Sequence, residues 1–305
     1  MPNISGFMHV NVNCTDLARS RAFYESALGL VVSAHTKPER PQPGAAFGIH
    51  GDALWDAYVL DDPRGMGAAA SLDLLRWERP APIGRAPGFA PTPGIHRVAY
   101  AVPSLDDVLQ RLAAAGAGVL APAVVERGAD RSRVAWALDP DGSAIELVED
   151  PRCREPVQAR AVTIVCRDLE RAIAWYERAL GLTVVARERD ATGPGASFGG
   201  AGEARWDAAT LELPQRPEHY ALRLEQWHAP TLAERPRAVA NQVGPFRVAF
   251  LVDDAHGWHA ELARRGVACT APPAWLDMGP EIPLDGLWAL FFFDPDGACL
   301  EMIQV

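Results

Sequence analysis

The side chains able to bind or activate a small molecule fall mainly on short alternating segments. In His9-Val10-Asn11-Val12-Asn13-Cys14 polar and apolar residues take turns, and side chains two apart share one face of a strand. Val10, Val12 and Cys14 therefore pack against a helix, while His9, Asn11 and Asn13 form a polar row on the other face. Trp55-Asp56 and Trp206-Asp207 set a carboxylate beside an indole. Such a pair suits acid/base work or the stacking of an aromatic ligand, but tryptophans in strands more often serve a core or an interface, and the recurrence of the aspartate points to a structural hydrogen bond. His256 and His259 stand one helical turn apart; with no third ligand near them they are read as solvent-facing. Lys37 is the only lysine, which leaves almost no room for Schiff-base chemistry. Five cysteines without paired metal-type spacing are read as reduced, mostly buried thiols.

The elements that carry these residues occur twice. A strand from His9 ends in Thr15-Asp16-Leu17, is followed by a helix with Phe23-Tyr24-Glu25, and stops at Leu28-Gly29-Leu30; Arg167-Asp168-Leu169, Trp175-Tyr176-Glu177 and Leu180-Gly181-Leu182 repeat the series. Phe47-Gly48, Trp55-Asp56-Ala57, Trp77 and Arg97-Val98-Ala99 recur as Phe198-Gly199, Trp206-Asp207-Ala208, Trp227 and Arg247-Val248-Ala249. Asp139-Pro140-Asp141-Gly142 recurs as Asp294-Pro295-Asp296-Gly297, slightly further on than the earlier motifs require, so the second copy carries a short insertion, placed at Met278 to Asp285. Self-similarity at a period of about 150 residues means duplicated structural units. Each copy divides again into two runs of strand, helix and three strands, the first copy at the Pro-rich stretch Arg79 to Pro93. Asp16 is an N-cap, Leu17, Phe23, Ala27 and Leu28 share one helical face, and Gly29 supplies the stop. A chain of 305 residues exceeds what one core usually serves. Two domains are expected, 1–150 and 157–305, joined by Asp150 to Pro156.

Composition narrows the functions. Hydrophobic residues at 49% and charged residues at 22% supply two ordinary globular cores, and 26 glycines with 26 prolines supply many turns between short strands. A formal net charge of −10 opposes binding to nucleic-acid phosphates or anionic lipid. Met1 to Val12 holds no basic stretch followed by an apolar run, and no segment reaches the length needed to span a bilayer. A cytoplasmic protein with a small-molecule substrate or ligand, as a monomer or homodimer, is expected.

The motifs, in this order and twice over, resemble the vicinal-oxygen-chelate superfamily of glyoxalases, bleomycin-resistance proteins and dioxygenases across nearly the whole chain. The resemblance implies an α+β fold of four tandem βαβββ modules forming two curved, mixed but mostly antiparallel sheets, each with a ligand on its concave face. It also implies one divalent metal ion (Fe, Mn, Zn, Ni or Co) in the N-terminal domain, held by His9, Asp73 and Glu146. At the fourth ligand position stands Arg97, whose guanidinium keeps its proton and repels a dication; it instead suits an ion pair with Glu146 or Asp73. In the second copy the matching residues are Ala161, Arg223, Arg247 and Glu301, a poorer metal site. His96 should point away from Arg97 unless the strand bulges. Substrate contacts are expected from Arg97, Asn11, Asn13, Trp77, Arg223, Arg247 and Glu301.

Two functions remain open. One is a metal-assisted lyase, isomerase or dioxygenase acting on a small oxygenated molecule in the N-terminal cup, with the ion stabilising an enolate or activating oxygen. The other is a metal-free protein that binds or transforms a drug or metabolite, as drug-sequestering relatives do. For the loop from Trp275 to Trp288, a lid over a cup and an ordinary surface loop fit equally. Whether each copy closes its own cup or pairs with a neighbouring chain is left open, since half-domain exchange would preserve every pattern above.

Overall fold

The computed structural model describes residues 2–127, 130–234 and 236–305. Four modules follow one another. The first contains β1 (Ile4–Asn13), α1 (Leu17–Phe23) running into a π-helical turn at Tyr24–Leu28, then β2 (Val31–Thr36), the short β3 (Gln42–Pro43), β4 (Asp52–Asp61) and β5 (Ser71–Arg79). The second has β6 (Gly94–Val102), α2 (Leu105–Ala114), β7 (Ala123–Arg127), β8 (Asp130–Leu138) and β9 (Ala144–Glu149). The third has β10 (Gln158–Val165), α3 (Leu169–Leu180), β11 (Thr183–Pro194), β12 (Glu203–Glu212) and β13 (Ala221–Ala229). The fourth has β14 (Gly244–Val252), α4 (Ala255–Arg264), β15 (Ala274–Leu276), β16 (Leu287–Phe293) and β17 (Cys299–Gln304). Each helix begins where the capping pattern puts it: Asp16, Ser104, Asp168 and Asp254 accept a hydrogen bond from the backbone N–H three residues on. Gly29 and Gly181 end the first and third helical segments at φ of 76° and 72°, where a residue with a Cβ is strained.

The modules pair across the sequence repeat. One sheet has the order β15-β16-β17-β14-β1-β5-β4-β2, with β3 added on β4, and joins the first module to the fourth. The other runs β11-β12-β13-β10-β6-β9-β8-β7 and joins the second to the third. The seams are antiparallel, β1 on β14 and β10 on β6, and each central strand has a parallel partner on its other side. Each sheet thus takes one module from 1–150 and one from 157–305. The two long linkers cross between the sheets side by side: Ile83 N–H donates to Asn241 O at 3.0 Å, and Val243 N–H to Ile83 O at 2.9 Å.

Within a copy the contact is made by helix and turn, and it accounts for the repeated motifs. Tyr24 OH donates to the buried Asp139 carboxylate and Tyr176 OH to Asp294, both at 3.0 Å. The other oxygen of each carboxylate accepts backbone N–H groups inside its own Asp-Pro-Asp-Gly turn. The helices and the faces of both sheets turned toward them form one large apolar core, with Val10, Val12 and Cys14 in it as alternation predicts. Each concave face has a separate apolar cluster. All five cysteines are free thiols, four of them buried. Among the described residues no helix is long and apolar enough to cross a membrane.

Removing either phenol hydroxyl leaves a buried carboxylate short of a donor, which typically costs about 1.5–3 kcal/mol. Tyr24→Phe and Tyr176→Phe should each lose that much in urea unfolding; losses under about 0.5 kcal/mol would show that these motifs do not tie module to module.

Candidate functional site

The first cup is built on β1, β5, β14 and β17. Its polar row comes from β1, where His9 is flanked by Ser71 of β5 and Ala249 of β14, and Asn11 by Asp73 and Arg247. Glu301 on β17 lies level with Ala249. Asp73 Oδ2 and Glu301 Oε2 each receive a hydrogen bond from Arg247, through Nη2 and Nε, both at 2.7 Å. His9 Nε2 stands 3.2 Å from Glu301 Oε2 and 3.7 Å from Asp73 Oδ2, and Asn11 Nδ2 donates to Asp73 Oδ2 at 3.1 Å. Asn13 faces the same side but holds a linker, donating to Ala240 O and Gln242 O and accepting from Trp77 Nε1 at 3.1 Å. The Trp77 ring belongs to the apolar floor with Phe47, Trp55 and Phe291.

A bulge aims the arginine. Asn11 pairs with Arg247 but Val12 with Pro245, which leaves Phe246 over and turns both Phe246 and Arg247 toward the cup. The same bulge in the other sheet sits between the pairs Thr163/Arg97 and Ile164/Ile95. His96 is the extra residue, and it faces the cup beside Arg97 rather than away from it.

One guanidinium, that of Arg247, answers both carboxylates of the first cup. Burial pushes the Glu301 carboxyl up, but the Arg247 guanidinium and the nearby His9 overcome this and hold it below the usual carboxylate range. Burial also opposes the charge on Arg247, and Glu301 and Asp73 more than restore it. Three polar atoms of this wall have no hydrogen-bond partner among the described residues: His9 Nε2, for which Glu301 Oε2 is an ion-pair contact only, Asn11 Oδ1 and Arg247 Nη1. Their residues are 8%, 0% and 6% exposed. A buried polar atom left unpaired costs on the order of 1–3 kcal/mol, so the wall presents open valences to whatever enters.

The residues expected to hold a metal ion do not come together. Glu146 lies on β9 in the second cup, because the seam is made across the repeat; His9 and Asp73 meet Glu301 instead. Nor does this second trio fit a dication. The carboxylate oxygens nearest His9 are those that Arg247 already bonds, and a guanidinium that cannot lose its proton occupies the centre of the set. Among the described residues no group of three His, Cys, Asp or Glu side chains is arranged to hold a metal.

In the second cup the charged side chains pair with one another, while Thr163 Oγ1, Trp136 Nε1 and Trp206 Nε1 have no hydrogen-bond partner among the described residues. Arg97 donates through Nε to Glu146 at 2.9 Å and through Nη1 and Nη2 to Glu225 at 2.9 and 2.7 Å. Arg223 donates to Glu225 at 2.7 Å and bidentately to Glu188 at 2.6 and 2.8 Å. Burial would raise Glu225, but Arg97 and Arg223 hold it far below the usual range. Burial and the neighbouring Arg97 push His96 down to about 4, so it stays neutral. Ala161 stands where the first cup has His9. Of the expected contacts, Arg97 and Arg223 are thus occupied here, and Arg247 and Glu301 serve the other cup. Glu225 and Glu188 were not anticipated; Glu225 was accessible, since it lies two residues beyond Arg223, on the same face of a strand, where the first copy has Leu75.

Glu225 accepts from two buried guanidiniums, those of Arg97 and Arg223. Glu225→Gln should destabilise the protein by about 3–5 kcal/mol in chemical denaturation, the usual cost of stripping a buried charge of its partner; a loss below about 1 kcal/mol would mean the network is not closed as described.

The model of the Glyoxalase/Bleomycin resistance protein/Dioxygenase superfamily matches residues 6–147 and again 159–302. No curated protein matches the sequence. Among solved structures, glyoxalase I from Zea mays superposes with a TM-score of 0.66 at 17% identity, covering 100% of this chain and 92% of that one. A candidate dioxygenase from Bacillus subtilis superposes with a TM-score of 0.63 at 15% identity, covering 100% and 86%. Likeness at such identities is one of fold and leaves the chemistry to the cup residues. With its strand–helix motifs, its four modules and its two concave sheets, the chain belongs to the Glyoxalase/Bleomycin resistance protein/Dioxygenase superfamily.

Proposed function

We propose that the first cup is a metal-independent site for a small, uncharged, apolar or aromatic molecule that carries adjacent oxygen groups, with Arg247 in the place of a metal ion and His9 as the group that exchanges a proton with the ligand. The observation that carries this reading is the trio of unpaired buried atoms on one wall of an otherwise apolar, aromatic cup. Arg247 Nη1 donates, which suits a carbonyl oxygen; Asn11 Oδ1 accepts, which suits a hydroxyl. His9 Nε2 lies between them in function, able to take or give a proton according to its tautomer.

Charge decides the ligand class. The formal charges of Asp73, Glu301 and Arg247 sum to one negative charge, so a carboxylate or phosphate would meet no surplus of positive charge from them and a neutral molecule loses nothing by entry. The rings of Phe47, Trp55, Trp77 and Phe291 offer the apolar and aromatic surface that such ligands bury. The second cup, with every charge of its network paired, is assigned a structural role.

Two measurements test the reading. Protein purified without chelator should contain well under one equivalent of divalent metal, and excess EDTA should leave its melting temperature unchanged; stoichiometric metal lost on His9→Ala would overturn the proposal. In a thermal-shift panel, neutral aromatic hydroxyketones should stabilise the protein where the matched hydrocarbons and carboxylates do not. Arg247→Gln or Asn11→Leu should weaken that binding about tenfold or more, as the loss of a charge-assisted or buried hydrogen bond implies. The internal cation has its own test: Arg247→His exchanges a fixed charge for an imidazole beside His9, Asp73 and Glu301, and should let the cup take up one Zn²⁺ per chain, whereas failure to bind Zn²⁺ would show that more than Arg247 keeps metal out.

A further inference from the structure

The segment that the second copy carries in excess lies across the first cup. Residues 277–286 follow β15, which is one edge of the nine-stranded sheet, and reach β2, which is the other edge. Asp277 N–H donates to Gln42 Oε1 at 2.9 Å, and Lys37 N–H, just past the end of β2, donates to Met278 O at 3.0 Å. Gly279 has a φ of +88° and lies so close to Lys37 that a Cβ would collide with its carbonyl oxygen, so the segment can seat here only with glycine at this position. Met278 is buried in the cup's aromatic cluster, and Ile282 packs against it. A strap that joins both rims and puts an unbranched, adaptable side chain among the rings that would face a ligand has the build of a lid.

One side chain fastens it in a proton-dependent way. His35 on β2 lies between two carboxylates: Nε2 is 2.7 Å from Asp56 Oδ1 on β4, and Nδ1 is 2.9 Å from Glu281 Oε2 on the strap. A neutral imidazole has one N–H and can satisfy one of these; only the imidazolium donates to both. The other groups around the ring are Tyr58 of β4, stacked on it at 4.4 Å, and Lys37, which bonds Asp56 at 2.6 Å and approaches Glu78 of β5 at 3.5 Å. When His35 is neutral, Asp56 keeps Lys37, and Glu281 is the partner that is released.

We propose that residues 277–286 form a lid over the first cup and that His35 is its proton-controlled latch, closed when the ring is charged and loosened when it is neutral. The proposal rests on the first cup being the ligand site and adds the control of access to it. Burial lowers the pKa of His35, but the hydrogen bonds to Asp56 and Glu281 outweigh this and leave it above its ordinary value. The sign follows: the latch is fully present below the ordinary histidine range and is lost as pH rises through the raised value. Glu281 is more than half exposed, so solvent screening limits the effect to a few-fold.

Amide hydrogen exchange of the full chain, without ligand, reads the lid directly. After correction for intrinsic rates, a peptide spanning 277–286 should be about 3–5 times better protected at pH 5.5 than at pH 8.5, while a core peptide over 144–149 shows no such change. In His35→Gln and, separately, Glu281→Gln, protection should be low and independent of pH. A flat profile in the wild type, or a pH dependence that survives both substitutions, would overturn the latch. Because no ligand enters this measurement, its failure leaves the cup assignment standing, and failure of the ligand panel leaves the latch standing.

Discussion

The antiparallel seam between β1 and β14, with its counterpart between β10 and β6, is the constraint from which the rest follows. It brings the fourth module against the first, so that Arg247 and Glu301 complete the wall begun by His9, Asn11 and Asp73. It makes the two long linkers cross between sheets, where they hydrogen-bond to each other and the later one also accepts from Asn13. It also leaves the helices of all four modules to share one core between the sheets, and the cups to face away from it. Pairing within each copy would keep every strand and helix and alter every cup.

The cups show how one scaffold spends its polar residues in two ways. In the second, two arginines meet three glutamates, and the network closes on itself with good bidentate geometry. Such a network is costly to break, and each of its charges is already answered. In the first, Arg247 answers two carboxylates through two of its nitrogens and keeps the third unpaired, with a histidine and an asparagine alongside in the same condition. The difference comes from few positions: Ala161 replaces His9, Thr163 replaces Asn11, and Arg223 with Glu225 replaces Asp73 with Leu75.

Much of the fold was legible because its signals are local. Alternation assigned Val10, Val12 and Cys14 to the core and His9, Asn11 and Asn13 to the cup; Asp16 marked the start of the first helix, with Asp168 at the matching place in the repeat; and the paired Tyr and Asp-Pro-Asp-Gly motifs recur because they touch within each copy. The partner of β1 was not legible. All four modules carry the same pattern of faces, so β6 and β14 compete for its edge on equal terms, and the choice is made by contacts distant in sequence. The site inherited that ambiguity, which is why Glu146 was placed beside His9. His96 eluded alternation for a related reason, since a bulge adds a residue that only the register with the neighbouring strand reveals.

Arg247, drawn from the later copy, is the cation that Asp73 meets. A double-mutant cycle on folding stability with Asp73→Asn and Arg247→Met should give a coupling energy of about 1–3 kcal/mol, as residues in direct contact do. The same cycle with Asp73→Asn and Arg97→Met should give none beyond error. Coupling of Asp73 to Arg97 in place of Arg247 would contradict the account.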